Sequence, residues 1–222
     1  MVLTTYIQNN KRKIIIAVIV IIVLAGLVIY YKRRIKKSNS PNMPTLRPYI
    51  YESKIKDNKE EFILGIENLT NYLGIDNPNS LLAVMNLESG LNPKAQNTTY
   101  PFANGYATGL IQFTPDTAKY LGTSVESLYT TNNVGQLEYV KKYFSPFRGK
   151  IKSFTDLYLT TFFPAALGKA DSYVIETSKI SAQSVAKSNP SFDLDKNGAI
   201  TVGEFKKAVL GKIPDYQKFN LK

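Results

Sequence analysis

The chain has no cysteine, no histidine and no tryptophan. Without Cys there is no disulfide, no thiolate nucleophile and no thiolate-held zinc; without His there is no Ser-His triad and no imidazole-ligated metal. Catalysis by this chain must therefore draw on carboxylates, lysines, tyrosines or hydroxyls. The lack of Cys fits any redox compartment and places the protein on neither side of a membrane. Acid is also scarce, with 17 Asp and Glu against 28 Lys and Arg, a net charge of +11. Eight of the basic residues fall in positions 1–37, which hold no acid, so residues 38–222 carry only +3. That balance is a weak electrostatic footprint for DNA or RNA, and no nucleic-acid partner is expected. Alternating strand patterns bounded by turn pairs are missing too, which predicts a mainly α protein without a sizeable sheet. The 222 residues leave room for one globular domain and something smaller.

What is present begins with a short basic segment, residues 1–13, and then "IIIAVIVIIVLAGLVIYY", residues 14–31, 18 residues without a charge. At ~1.5 Å per residue this run spans ~27 Å, close to a hydrocarbon core, and predicts one N-terminal transmembrane helix held in a lipid bilayer. It ends in Tyr30, Tyr31 and "KRRIKK" rather than in a small-residue cleavage site, unlike a secretory signal peptide. Three basic residues precede the span and five follow it, so the positive-inside rule favours a cytoplasmic C-terminal part by a narrow margin, and the orientation stays open. Residues 32–50 read as a basic flank and a tether, since "SNSPNMPTLRP" has three Pro and no apolar period. Beyond it the period becomes helical: Phe62, Ile66, Leu69 and Leu73 share one face, and so do Leu81, Val84 and Met85. Further helices are predicted at Thr114 to Leu121, Val134 to Phe144, Thr155 to Leu167 and Gly203 to Leu210.

The second of these helices ends in "NLESGLNPKAQ", residues 86–96. Glu88 falls seven after Leu81, four after Val84 and three after Met85, so it continues the apolar stripe. Gly90 suits a left-handed helix end, and Pro93 forbids continuation, which puts Glu88 at the negative end of the helix dipole. Desolvation and dipole both raise a carboxyl pKa, as a general acid near neutral pH requires. The alternative is a surface glutamate turned to solvent or paired with Lys94.

"ESGLNPKA" at 88–95 followed by "ATGLIQFTPDTAKYLG" at 107–122 resembles the first two motifs of lytic transglycosylases and goose-type lysozymes, enzymes that cut the glycan strands of peptidoglycan. The resemblance spans roughly residues 60–170 and implies a lysozyme-like helical domain over residues 51–175. It implies that Glu88 is the catalytic acid and base, that Ser89 supports the site, and that Gly109, Leu110, Ile111 and Gln112 line the sugar site, with Ile111 where Met is usual. A third family motif normally holds a Tyr-Asn pair; the closest stretch here is "YLTTFFPAALG", residues 158–168, with Phe163 and Pro164 at those places. Phe163 is thus either a substrate contact or a core aromatic. Tyr100, Phe102 and Tyr106, between the first two motifs, could stack on sugar faces or simply pack.

Most glycosidases use two carboxylates, yet no acid lies between Glu88 and Asp116. Asp116 and Glu126 read as helix N-terminal charges, after Thr114-Pro115 and Ser124. A single Glu suffices for the reaction the resemblance implies: it protonates the glycosidic oxygen, then takes the proton of the muramic acid 6-hydroxyl, giving a 1,6-anhydro product. Near the C-terminus "DLDKNGAITVGE", residues 193–204, matches an EF-hand calcium loop. Asp193, Asp195 and Asn197 stand at positions 1, 3 and 5, Gly198 at 6, the Ala199 carbonyl at 7, Thr201 at 9 and Glu204 at 12. One structural Ca2+ is expected in an EF-hand-like segment, residues 176–222. The leading expectation is a single-pass peptidoglycan lytic transglycosylase of a bacterial inner membrane or of the internal membrane of a bacteriophage virion. An inactive membrane-tethered glycan- or calcium-binding module and a hydrolytic lysozyme stay open, and the sequence names no protein partner.

Overall fold

The computed structural model describes residues 49–99, 101–218 and 221. The expected membrane span, its flanks, the tether through residue 48 and Tyr100 lie outside the described residues. Among the described residues no helix is long and apolar enough to cross a membrane, the pairing between strands is confined to isolated bridges, and the architecture is mainly α. The helices are α1 (Lys59–Leu73), α2 (Pro78–Ser89), α3 (Pro115–Tyr120), α4 (Val125–Thr130), α5 (Asn133–Phe144), α6 (Phe154–Phe162), α7 (Ala182–Ser188), α8 (Val202–Gly211) and α9 (Asp215–Lys218).

Helix α2 is the axis of the packing. Asn77 caps its start by accepting from the Asn79 amide at 3.0 Å, and Pro78 takes the first turn, where its missing N–H costs nothing. Leu81, Leu82, Ala83, Val84 and Met85 are all fully buried, because α1 covers one side of the helix and α6 another. Each large side chain among them contributes about 1.5–3 kcal/mol by leaving water. At the other end Gly90 adopts φ 64°, and the Leu91 amide reaches back to the Met85 carbonyl at 3.3 Å, satisfying a carbonyl the helix end would leave open. The chain then reverses, so Glu88 sits in the last turn of a largely buried helix.

Helix α1 packs on α2 and α5 through the predicted face, Phe62, Ile66, Leu69 and Leu73. Helix α6 is shorter than the predicted Thr155 to Leu167. It stops at Phe162 because Pro164 excludes the α conformation at Phe163, which takes φ −151° and ψ 80° before a short 3-10 turn over Pro164–Ala166. Helix α4 starts on its Ser124 cap, as the reading of Glu126 as an N-terminal charge implied, whereas α7, capped by Ser181, and α9 were not among the expected helices. Residues 48–222 form one compact unit. The C-terminal segment shares its core: Ile175, Ile200, Val202 and Phe205 are buried with the residues of α2 and α6, and α8 packs on α6.

Candidate active site

Glu88 keeps part of its surface open to solvent, yet its surroundings are dense enough that desolvation pushes the carboxyl up to about 7. Two groups pull the other way, a hydrogen bond donated by the Tyr158 hydroxyl and the positive charge of Lys212. The cation that reaches Glu88 is therefore Lys212, just past the end of α8, and not Lys94. Tyr143 of α5 also stands near: burial first, then the Glu88 charge, raise its hydroxyl to about 12. Burial and the Glu88 charge and hydrogen bond likewise keep Tyr158 protonated. Two neutral phenols and one ammonium thus face the carboxyl, and among the described residues no second carboxylate is felt by it.

Each phenol is anchored. The Tyr143 hydroxyl donates to the Thr160 carbonyl at 3.0 Å, and its ring meets Phe113 and Phe144 edge-on at 6.4 and 5.0 Å. Tyr158 is buried, with the Phe154 ring at 6.3 Å and the Phe205 ring at 5.7 Å.

Ser89 binds the helix to the second motif, since its hydroxyl lies 2.9 Å from the Met85 carbonyl and 3.0 Å from the Leu110 carbonyl. Residues 95–97 run beside 107–109, with Asn97 N–H on the Ala107 carbonyl (3.0 Å) and Gly109 N–H on the Ala95 carbonyl (2.9 Å). Gly109 has φ 89° and lies so close to Gln136 that an added Cβ would stand 2.5 Å from its Oε1. Gln136 is fully buried and joins three segments: it accepts from the Leu110 amide at 2.9 Å and donates to the Pro93 and Leu128 carbonyls at 2.7 and 2.8 Å. Leu110 and Ile111 are buried in the core, so any contact they make with a ligand is through the backbone. Gln112 holds a left-handed φ of 54°, its amide donating to the Ala95 and Gly109 carbonyls at 3.2 and 3.0 Å.

Tyr106 is half-buried, and Phe102 is 46% exposed at a tight turn closed on Gly105. Phe163 packs beside the core, with its ring 6.4 Å from Phe162. Asp116 and Glu126 are exposed in the first turns of α3 and α4, in keeping with N-terminal charges, and Ser124 holds Glu126 below the usual carboxylate range. Sequence reasoning missed Tyr143, Tyr158, Lys212 and Gln136. Tyr158 opens the altered third motif and was the one within sight of a signal.

At the C-terminal loop the oxygens of Asp193, Asp195 and Glu204 lie within 4.8 Å of one another. Gly198 N–H donates to Asp193 at 3.0 Å, and the Asn197 amide to both aspartates at 3.1 Å. Glu204 points inward, accepting from the Leu194 and Asp195 amides at 3.2 and 3.4 Å, and forms a capping box with Thr201 at the start of α8. The donor set is all oxygen and turned to one point, which fits a hard cation such as Ca2+.

The helical domain thus holds one carboxyl of raised pKa at a helix end, faced by phenols and a lysine, an arrangement suited to general acid chemistry. The family model described as Transglycosylase SLT domain matches residues 72–138, under a third of the chain, from the end of α1 to the middle of α5. That segment contains Glu88, Ser89, Gly109 to Gln112 and Gln136, and its similarity to the transglycosylase domain implies a lytic transglycosylase enzyme with peptidoglycan as its substrate. No curated protein and no solved structure matches the chain.

Proposed function

We propose that this enzyme cleaves the β-1,4 bond between N-acetylmuramic acid and N-acetylglucosamine without water, with Glu88 as both acid and base. Protonated Glu88 gives its proton to the glycosidic oxygen as the bond to the muramic C1 breaks. The resulting carboxylate takes the proton of the same sugar's 6-hydroxyl, and O6 closes on C1 to leave a 1,6-anhydro end; the proton is back on Glu88 and the balance needs no water. The muramic N-acetyl group shields the cationic carbon meanwhile. The observation that carries this reading is the solitary carboxyl near pKa 7, with no second acid to activate a water. Tyr158 and Lys212 stabilise the carboxylate midway through the cycle.

Two further parts belong to the proposal. Residues 14–31 anchor the enzyme in a membrane, a bacterial inner membrane or that of a bacteriophage virion, supported by the uncharged run and its basic flanks. Asp193, Asp195, Asn197, the Ala199 carbonyl, Thr201 and Glu204 hold one Ca2+, which when bound neutralises the loop carboxylates and fixes the turn before α8.

The test is release of soluble muropeptides from purified peptidoglycan by the detergent-solubilised full chain and by Glu88→Gln. Loss of a general acid costs roughly 10²–10⁴-fold, so the variant is expected to fall by that much while keeping its circular dichroism. Equal release by the variant, or none from a folded wild type, would count against the proposal.

A further inference from the structure

The matched domain segment ends at residue 138, yet the group that hydrogen-bonds Glu88 lies on α6 and leans on α8. We propose that Phe205 of α8 is a positioning residue for Glu88, acting through Tyr158, so that the C-terminal segment is a working part of the active site. This rests on the reading of Glu88 as the acid.

Phe205 is fully buried and touches the Tyr158 ring at 5.7 Å with a tilt of 52°. It is itself fixed on its other sides, stacked on Phe162 at 4.9 Å and 13° and met edge-on by Phe192 at 5.1 Å. Phe154, one turn earlier on α6, stacks on Tyr158 at 6.3 Å. The phenol ring is thus held by contacts with α6's own first turn and with α8, and its hydroxyl lies at the far end of the lever. A ring free to tilt would move that hydroxyl more than any other atom. Misplacement of a catalytic contact by about 1 Å can cost about 10²-fold. The same aromatic cluster carries Lys212, whose ammonium sits 4.4 Å from the Phe192 ring centre. Of the titratable groups facing Glu88, Tyr143 on α5 makes no ring contact with Phe205, whereas Tyr158 on α6 is in contact with it. Phe205 directly follows Glu204, the last residue of the proposed calcium loop, so a shift of that loop is passed on to these ring contacts.

A core phenylalanine with no other role would lose stability on truncation and leave the chemistry of Glu88 alone. The experiment is a double-mutant cycle on the full chain, with kcat and kcat/KM followed across pH for wild type, Phe205→Leu, Tyr158→Phe and the pair. Because the Tyr158 bond favours the ionised carboxyl, each single variant is expected to lose about tenfold or more in kcat and to move the alkaline limb to higher pH. The pair should lose no more than Tyr158→Phe alone. Multiplied losses, or a limb that stays in place with Phe205→Leu, would overturn the proposal. If Phe205→Leu does not fold, Phe205→Met, which nearly conserves volume, runs the same cycle. A carbon-13 NMR titration of the Glu88 carboxyl in the four proteins reads the link without turnover. If the wild type releases no glycan product, the acid reading fails while this titration still judges Phe205.

Discussion

At the scale of the residue the account turns on one proton. Glu88 must start protonated, so kcat/KM is expected to hold up to about pH 7 and to fall tenfold for each further pH unit, as a pH–rate profile would show. The same proton sets a stability cost. The folded carboxyl titrates near 7 and the unfolded one near 4.5, so the native state holds its proton more tightly. The contribution of Glu88 is therefore most favourable below about pH 4.5, declines as pH rises to about 7, and is a penalty on the order of 3 kcal/mol above that, less what solvent access recovers. Glu88→Gln removes the penalty and keeps an acceptor for Tyr158. Urea melts should show the variant more stable than wild type at pH 8 and no better at pH 4; equal stability at both would mean that the carboxyl is not desolvated. Glu88 was legible in the sequence because the features that raise its pKa are local, an apolar stripe and a helix stop. The role of Tyr158 was not, although it opens the third-motif stretch, because its bond to Glu88 spans seventy residues.

At the scale of the element, the second motif works as backbone held in a set path. Gly109→Ala would force a side chain onto a φ of 89° and against Gln136. The strain alone costs about 1–3 kcal/mol before the clash is counted, so a clear loss of stability and of activity is expected in thermal melts and muropeptide release. An unchanged melting temperature would contradict the contact. Sequence reading found the elements with a sustained apolar face: α1, α2, α5 and α8 stand within a few residues of where the period put them. It marked only the Ser124 start of α4 and missed α7; each buries only two side chains, too few to set up a period. It ran α6 through Pro164, where the pre-proline restriction outweighed the apolar pattern. The resemblance placed Leu110 and Ile111 along the sugar site; both side chains are buried in the core, which leaves them the backbone for that role.

At the scale of the whole molecule, the proposed calcium loop, α8 and the site around Glu88 form one packed body. A ligand that binds only the folded state at a hundred times its Kd adds about 2.7 kcal/mol. Millimolar Ca2+ is expected to raise the melting temperature of the wild type and to leave Glu204→Gln where it was; a wild type indifferent to Ca2+ and to chelator would remove the metal from the account. The proposed calcium loop rests on a residue-by-residue motif, whereas its closeness to Glu88 was not legible, since α8 reaches Tyr158 only in the folded chain. The central claim is that one carboxyl breaks the glycan without water. Its most direct measurement is digestion of purified peptidoglycan in oxygen-18 water, with mass spectrometry of the released muropeptides. The account predicts unlabelled products one water lighter than hydrolytic fragments, absent with Glu88→Gln. Reducing ends that carry the heavy oxygen would contradict it and make the enzyme a hydrolase.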